Sequence, residues 1–229
     1  MRILTIDTSA VASAALLTFG TGLAAGAVTV DAGFATEDTR SHAEVLAPGV
    51  DGLFADAVAE GPLLDAIVVG VGPGPFTGLR SGIAMARTLA FAWQVPLHGM
   101  MSLDALAWDV VSAGNPGTDF VIATDARRKE VYWARYSAAG DLLDGPHVGP
   151  AGDVPALPSY GMGAGLYRDV LEANGGAVDP AFEAAQPVAV SLGQMAALRM
   201  TAGLPLLNTT PLYLRESDAK VPGPRKRAL

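Results

Sequence analysis

Arg2-Ile3-Leu4-Thr5-Ile6-Asp7 is a run of apolar and β-branched residues ending in a carboxylate, and Phe120-Val121-Ile122-Ala123-Thr124-Asp125 repeats that plan in the second half of the chain. Both read as buried strands. After the first, Ala14 to Thr18 and Leu23 to Val30 predict two antiparallel strands around a Thr18-Phe19-Gly20-Thr21-Gly22 turn. After the second, Val131 to Tyr136 is the return strand. A helix is predicted from Ser41-His42-Ala43-Glu44, a capping box whose hydroxyl and carboxylate each satisfy a free N–H, with Val45, Leu46, Val50, Leu53, Phe54, Ala57 and Val58 as its apolar stripe and Pro48 as a kink. Ala66 to Val69 is a short buried strand. It leads through Gly70-Val71-Gly72-Pro73-Gly74-Pro75 into a helix over Thr77–Trp93, a strand over Val95–Met100 and a helix over Leu103–Val111 capped by Ser102. Asn115-Pro116-Gly117 breaks the chain. Gly161 to Gly165 precedes a helix-compatible segment as the first glycine loop does, Met195 to Thr201 lies in a further helix, and Pro211 to Arg215 is extended. Identity between the halves is negligible, so the order of elements alone predicts an α/β chain of two related lobes, 1–105 and 106–217, and a tail, 218–229.

The 229 residues suffice for a sizeable core, and half of them are apolar. With no Cys, disulfides, thiolate metal sites and a cysteine nucleophile are excluded. Asp and Glu outnumber Lys and Arg by 23 to 15, which argues against a body that grips nucleic acid unaided. The last twelve residues, with Lys220, Arg225, Lys226 and Arg227 against Asp218, carry a local charge of +3 and leave −11 on the remainder. They read as a solvated tail, with a weak RNA or partner contact as the alternative. Val11 to Val30 has no charge, but Gly20, Gly22, Gly26 and its Ser and Thr residues fit strands better than a membrane span. A cytoplasmic protein without a membrane role is expected.

A strand-end carboxylate beside small hydroxyls, Asp7-Thr8-Ser9, suits either a magnesium and phosphate site or a simple turn cap. Asp125 repeats it, but Ala126-Arg127-Arg128-Lys129 puts cations where a phosphate loop uses small residues. The loop Val71 to Gly82 fits neither the dinucleotide nor the Walker pattern. Its glycines, Gly72 and Gly74 among them, permit close approach to an anion or tight packing, and the two readings stand level. His42, His98 and His147 are too far apart in sequence for a local metal pair, and no Gly-x-Ser-x-Gly elbow occurs. The helix after the loop is apolar on more than one face, which predicts burial between lobes or a partner.

Ile6-Asp7-Thr8-Ser9, the block Gly72-Pro73-Gly74-Pro75-Phe76-Thr77-Gly78-Leu79-Arg80, Asp125-Ala126-Arg127 with Glu130-Val131-Tyr132, and Pro211-Leu212-Tyr213-Leu214-Arg215 together resemble the bacterial TsaB (YeaZ) family, in order across almost the whole chain. The resemblance implies the two-lobed actin, Hsp70 and sugar-kinase fold (ASKHA, a duplicated RNase H-like unit), here with a reduced second lobe. It implies a part in making threonylcarbamoyladenosine in tRNA, beside a catalytic homologue, TsaD, that carries the His-x-x-x-His metal pair, and a small ATPase, TsaE; tRNA is met only through that complex. The glycoprotease or M22 peptidase label attached to the family finds no support in the residues. Without the His pair, the expectation is a supporting subunit with no catalytic residue and no metal. ATP or ADP with magnesium is expected only in the complex, with Asp7, Thr8, Ser9, Gly72, Gly74 and Asp125 as a vestigial pocket. The partner surface is assigned to Leu46, Val50, Leu53, Leu79, Gly82, Ile83, Ala86 and Ala90 on the helices near Ser41–Ala59 and Thr77–Trp93, a face that also closes a homodimer when the partner is absent. The competing reading is a small ATPase or small-molecule kinase using Asp7 and the glycine loop with magnesium; a metallopeptidase comes third.

Overall fold

A computed structural model describes residues 1–20, 28–37, 42–54, 63–114 and 116–215, with the side chains of His42 and Ala43 left aside. The Ser41 cap, Ala57 and Val58, Asn115 and the basic tail lie outside the described residues. The first sheet holds β1 (Arg2–Asp7), β2 (Ser13–Thr18), β3 (Thr29–Ala35), β4 (Ala66–Gly70) and β5 (Leu97–Met100) in the order β3-β2-β1-β4-β5. β1, β2 and β3 are an antiparallel meander, while β4 and β5 join in parallel through helical crossovers. The second sheet, β6 (Phe120–Asp125), β7 (Glu130–Tyr136), β8 (Leu142–Pro150), β9 (Pro158–Tyr160) and β10 (Ala177–Val178), has the order β8-β7-β6-β9-β10 with the same pattern of directions. Strand for strand, β6 to β10 repeat β1 to β5. The chain is a duplicated α/β unit, the architecture of the ASKHA class, with short parallel strands in its second half.

Helices α1 (His42–Gly52), α2 (Phe76–Trp93), α3 (Ser102–Ala113), α4 (Met162–Leu166), α5 (Arg168–Ala173) and α6 (Ala189–Thr201) complete the layers. Period-two alternation sends Leu4, Ile6, Leu16 and Val69 toward α1 and α2 on one face of the first sheet, and Ile3, Leu17 and Val68 toward Leu192, Ala196 and Ala197 of α6 on the other. In the second sheet Phe120, Ile122 and Ala134 meet Leu103, Leu106 and Val110 of α3, whereas Val121, Ala123 and Trp133 meet Ala164 and Leu171. α3 packs on α6, so these two helices are the layer between the sheets. α6 comes from the second half of the sequence yet covers the first sheet, and contacts therefore cross the linear division at 105/106.

Several expectations shift in position. The described part of the third strand is Thr29–Ala35, with Thr29, Val30 and Asp31 exposed, and residues 23–27 of the predicted Leu23–Val30 strand lie outside the described residues. α1 runs through Pro48. Met101, not Ser102, precedes α3, and the Ser102 hydroxyl is turned to another use. The Gly161 to Gly165 stretch is itself the start of α4, and β8 was not foreseen.

Candidate functional site

β1 delivers Asp7 to the floor of the first lobe, where its side chain has no exposure. Asp7 Oδ1 accepts hydrogen bonds from Ser9 N (2.8 Å) and Ser9 Oγ (2.7 Å), and Oδ2 accepts one from Ser102 Oγ (2.6 Å). Ser102 Oγ in turn accepts from Gly72 N at 3.2 Å, which ties the strand end to the glycine loop and to α3. Thr8 Oγ1 donates to Gly78 O at 2.7 Å. The glycines are there for contact. A Cβ on Gly70 would collide with Asp7 Oδ2, one on Gly74 would lie 2.6 Å from Ser9 O, and one on Gly82 would overlap Thr8 Oγ1. Of the two readings of the loop, tight packing onto Asp7-Thr8-Ser9 accounts for all three.

In the second lobe Asp125 accepts from Arg127 N at 2.7 Å and pairs with the Arg127 guanidinium at 3.2 Å. Arg127, Arg128 and Lys129 all take left-handed conformations, with φ of 60°, 55° and 64°. Both strand-end carboxylates are thus engaged by their own lobes.

The segment after α6 gathers the blocks that carry the family resemblance. Leu207 bridges to Gly99, whose missing side chain leaves room for Asn208 O. Arg87 donates to Thr209 O at 2.8 Å, and Leu212 N donates to Val71 O at 2.8 Å. Arg80 Nε donates to Tyr213 Oη at 3.0 Å, with the Phe76 and Tyr213 rings 4.6 Å apart. Arg215 then donates to Ala126 O at 2.9 Å and pairs with Glu130 in the second lobe. One strap therefore joins the glycine loop, α2 and the β6–β7 turn. Arg80, Tyr213 and Arg215 were quoted in sequence, but their meeting is non-local and no spacing announces it.

The residues assigned to the partner surface lie within the first lobe. Leu46, Val50, Leu79, Gly82, Ile83, Ala86 and Ala90 are buried against the chain's own first sheet, and Leu53 packs half-buried on the same cluster. What α2 turns outward is a different face: exposed Ala84, Thr88, Phe91 and Ala92, with half-buried Ser81 and Met85. Phe91 is 79% exposed. Beside this face, Ala47, Val50, Phe54, Met85, Leu89 and Trp93 line an apolar groove of about 290 Å³ between α1 and α2. The several apolar faces of α2 thus go to the sheet, to α1 and outward.

Comparison with known proteins agrees with this architecture. The family model described as TsaD, tRNA N6-adenosine threonylcarbamoyltransferase, matches residues 34–204. The solved structure of YeaZ from Pseudomonas aeruginosa superposes with a TM-score of 0.73 at 29% identity, covering 93% of this chain and all of that one. The chain belongs to this family as a TsaB (YeaZ) homologue. An uncharacterized protein of Mycobacterium tuberculosis is 41% identical over 186 residues, 81% of this chain and 80% of its own length. The tRNA threonylcarbamoyladenosine biosynthesis protein TsaB of Escherichia coli is 36% identical over 137 residues; the match spans 59% of this chain and 55% of that protein. No helix among the described residues is long and apolar enough to cross a membrane.

Proposed function

We propose that this chain is the accessory, non-catalytic subunit of a tRNA threonylcarbamoyladenosine machinery in the cytoplasm, and that it pairs with and activates a TsaD-like catalytic homologue through the outward face of α1 and α2. The observation that carries the pairing is that face: a largely exposed Phe91, the small residues Ala84, Thr88 and Ala92 that let another helix approach, and the apolar groove beside them. The engaged state of Asp7 and Asp125 supports a supporting role rather than independent kinase chemistry. A TsaE-like ATPase completes the assembly, and nucleotide with magnesium is a ligand of the complex. The same face closes a homodimer of the isolated chain.

Size-exclusion chromatography with the TsaD-like homologue tests this. The native chain co-elutes with it, and Phe91→Glu, folded by circular dichroism, does not. Unchanged co-elution of the variant removes this face as the interface, and Mg-ATP turnover by the chain alone favours the kinase reading instead.

A further inference from the structure

A cavity of about 440 Å³ lies where α3, α6 and the segment following α6 meet the β7–β8 turn. Its walls are apolar, with Met100, Met101, Met195, Leu206 and Leu212 among them, and two charged groups, Asp104 and Arg199, reach it from different helices. Asp104 is 8% exposed. One of its oxygens accepts a hydrogen bond from Tyr136 Oη at 2.9 Å, and the other has no donor among the described residues. Arg199 spends a single N–H on Pro205 O, at 3.4 Å, and acts on Asp104 through its field rather than through a hydrogen bond. Asp141 stands on the lobe-two side of the same cavity.

A carboxylate kept in an apolar hollow with half its acceptor capacity unused is costly unless something donates to it. Packing does not explain it. In α3 the neighbouring Ser102 is committed to Asp7, so the first turn of this helix faces the glycine-loop site with one residue and the cavity with another. A few polar groups converging in an apolar cavity of this size is the usual constitution of a small-molecule site. We propose that this inter-lobe cavity binds a small zwitterion of amino-acid or dipeptide size with apolar side chains, its ammonium group donating to Asp104 and its carboxylate meeting Arg199. The Met and Leu walls take the side chain, and Met is suited to conform to different shapes. The inference stands apart from the pairing proposed above, because it uses neither α1 nor the outward face of α2.

Isothermal titration of the full chain with leucine and leucylleucine tests it, with isoamylamine lacking the carboxylate and isocaproate lacking the ammonium. Saturable binding of at least one zwitterion is expected, at least about tenfold tighter than either one-charge analogue. Asp104→Asn preserves the Tyr136 contact and replaces the free acceptor with a donor; it should weaken binding by about tenfold or more. Arg199→Gln, at a half-buried position, should do likewise and guards against a folding defect in the first variant. Absence of saturable heat with both zwitterions overturns the proposal, as does equal affinity for an analogue missing one charge or undiminished binding by the two variants.

Discussion

At the scale of single residues, the glycine loop and Asp7 fit one another by subtraction of atoms. Gly70 has no side chain because Asp7 Oδ2 and Ser102 Oγ fill the place. Gly70→Ala should therefore cost several kcal/mol, of the size of an overpacked core site that also disrupts a buried hydrogen bond, about 2–4 kcal/mol, and chemical denaturation will read it. A loss below about 1 kcal/mol would mean that the carboxylate moves aside freely. Asp7→Ala, by contrast, leaves the Ser9 and Ser102 donors unmet and should lower stability while the pairing survives; complete loss of tRNA modification in a folded, assembled variant would assign Asp7 a chemical task. The pKa of Asp104 is shifted upward. Burial raises it from 3.8 to about 6, against the lowering effects of the Tyr136 bond and the Arg199 charge. Between those two values the folded chain keeps a proton that the unfolded chain has released, so stability falls as pH rises through the window and is level above it. The displacement corresponds to about 3 kcal/mol. Asp104→Asn should accordingly be more stable than the native chain at pH 7.5 and nearly equal to it at pH 4; the same difference at both would show that Asp104 does not titrate in that interval. That a strand-end Asp sits beside small hydroxyls was legible in the sequence. That Ser102 closes the site was not, since a Ser ahead of an apolar helix has the same appearance whether it caps the helix or reaches a carboxylate 95 residues away.

Among the elements, α2 shows how far periodicity reaches. The residues Leu79, Ile83, Ala86 and Ala90 recur at helical spacing and mark a face, but spacing does not name what covers that face. The sheet covers it. Ala86→Glu should consequently unfold or severely destabilise the chain, because it drives an unpaired charge into the core at a cost on the order of several kcal/mol, whereas Ala84→Glu, two residues earlier on the exposed side, should leave the melting curve within a few degrees and disturb only association. Thermal unfolding of the pair separates the two faces; similar melting temperatures would reverse the assignment of the helix. Uniform apolar runs made β1, β4 and β6 readable, since strands buried on both sides need no alternation. β8 gives no such signal for the complementary reason: it is an edge strand with no fully buried position, and Leu142–Pro150 carries Gly145, Pro146 and Gly149 that read as loop.

For the whole molecule, the two sheets share one topology but are not held together by it. Their union rests on the α3 and α6 layer and on the strap from Leu207 to Arg215, which bonds in turn to β5, the glycine loop, α2 and the β6–β7 turn. Leu212 packs on both the first-sheet core and the α3 core, which fastens a strap that otherwise runs along the surface to the interior of both lobes. The segment beyond it has a different composition, Pro, Gly and charges without an apolar pattern, and such a sequence has little to bury. Two truncations distinguish these roles. Removing residues 219 to 229 should leave the melting temperature unchanged. Removing everything after Leu204 deletes the Gly99 pairing, the Arg80 and Arg87 partners and the Arg215 link, and should cost several degrees to more than ten, on the basis of roughly 2–4 °C per kcal/mol for a chain of this size. Hydrogen exchange then locates the damage: the faster-exchanging amides should lie at β5, at Val71 and around Ala126, where the strap was bonded, while β1 and β6 at the centres of the two sheets stay protected. Uniformly faster exchange would mean that the strap is needed for each lobe to fold, and not for joining them.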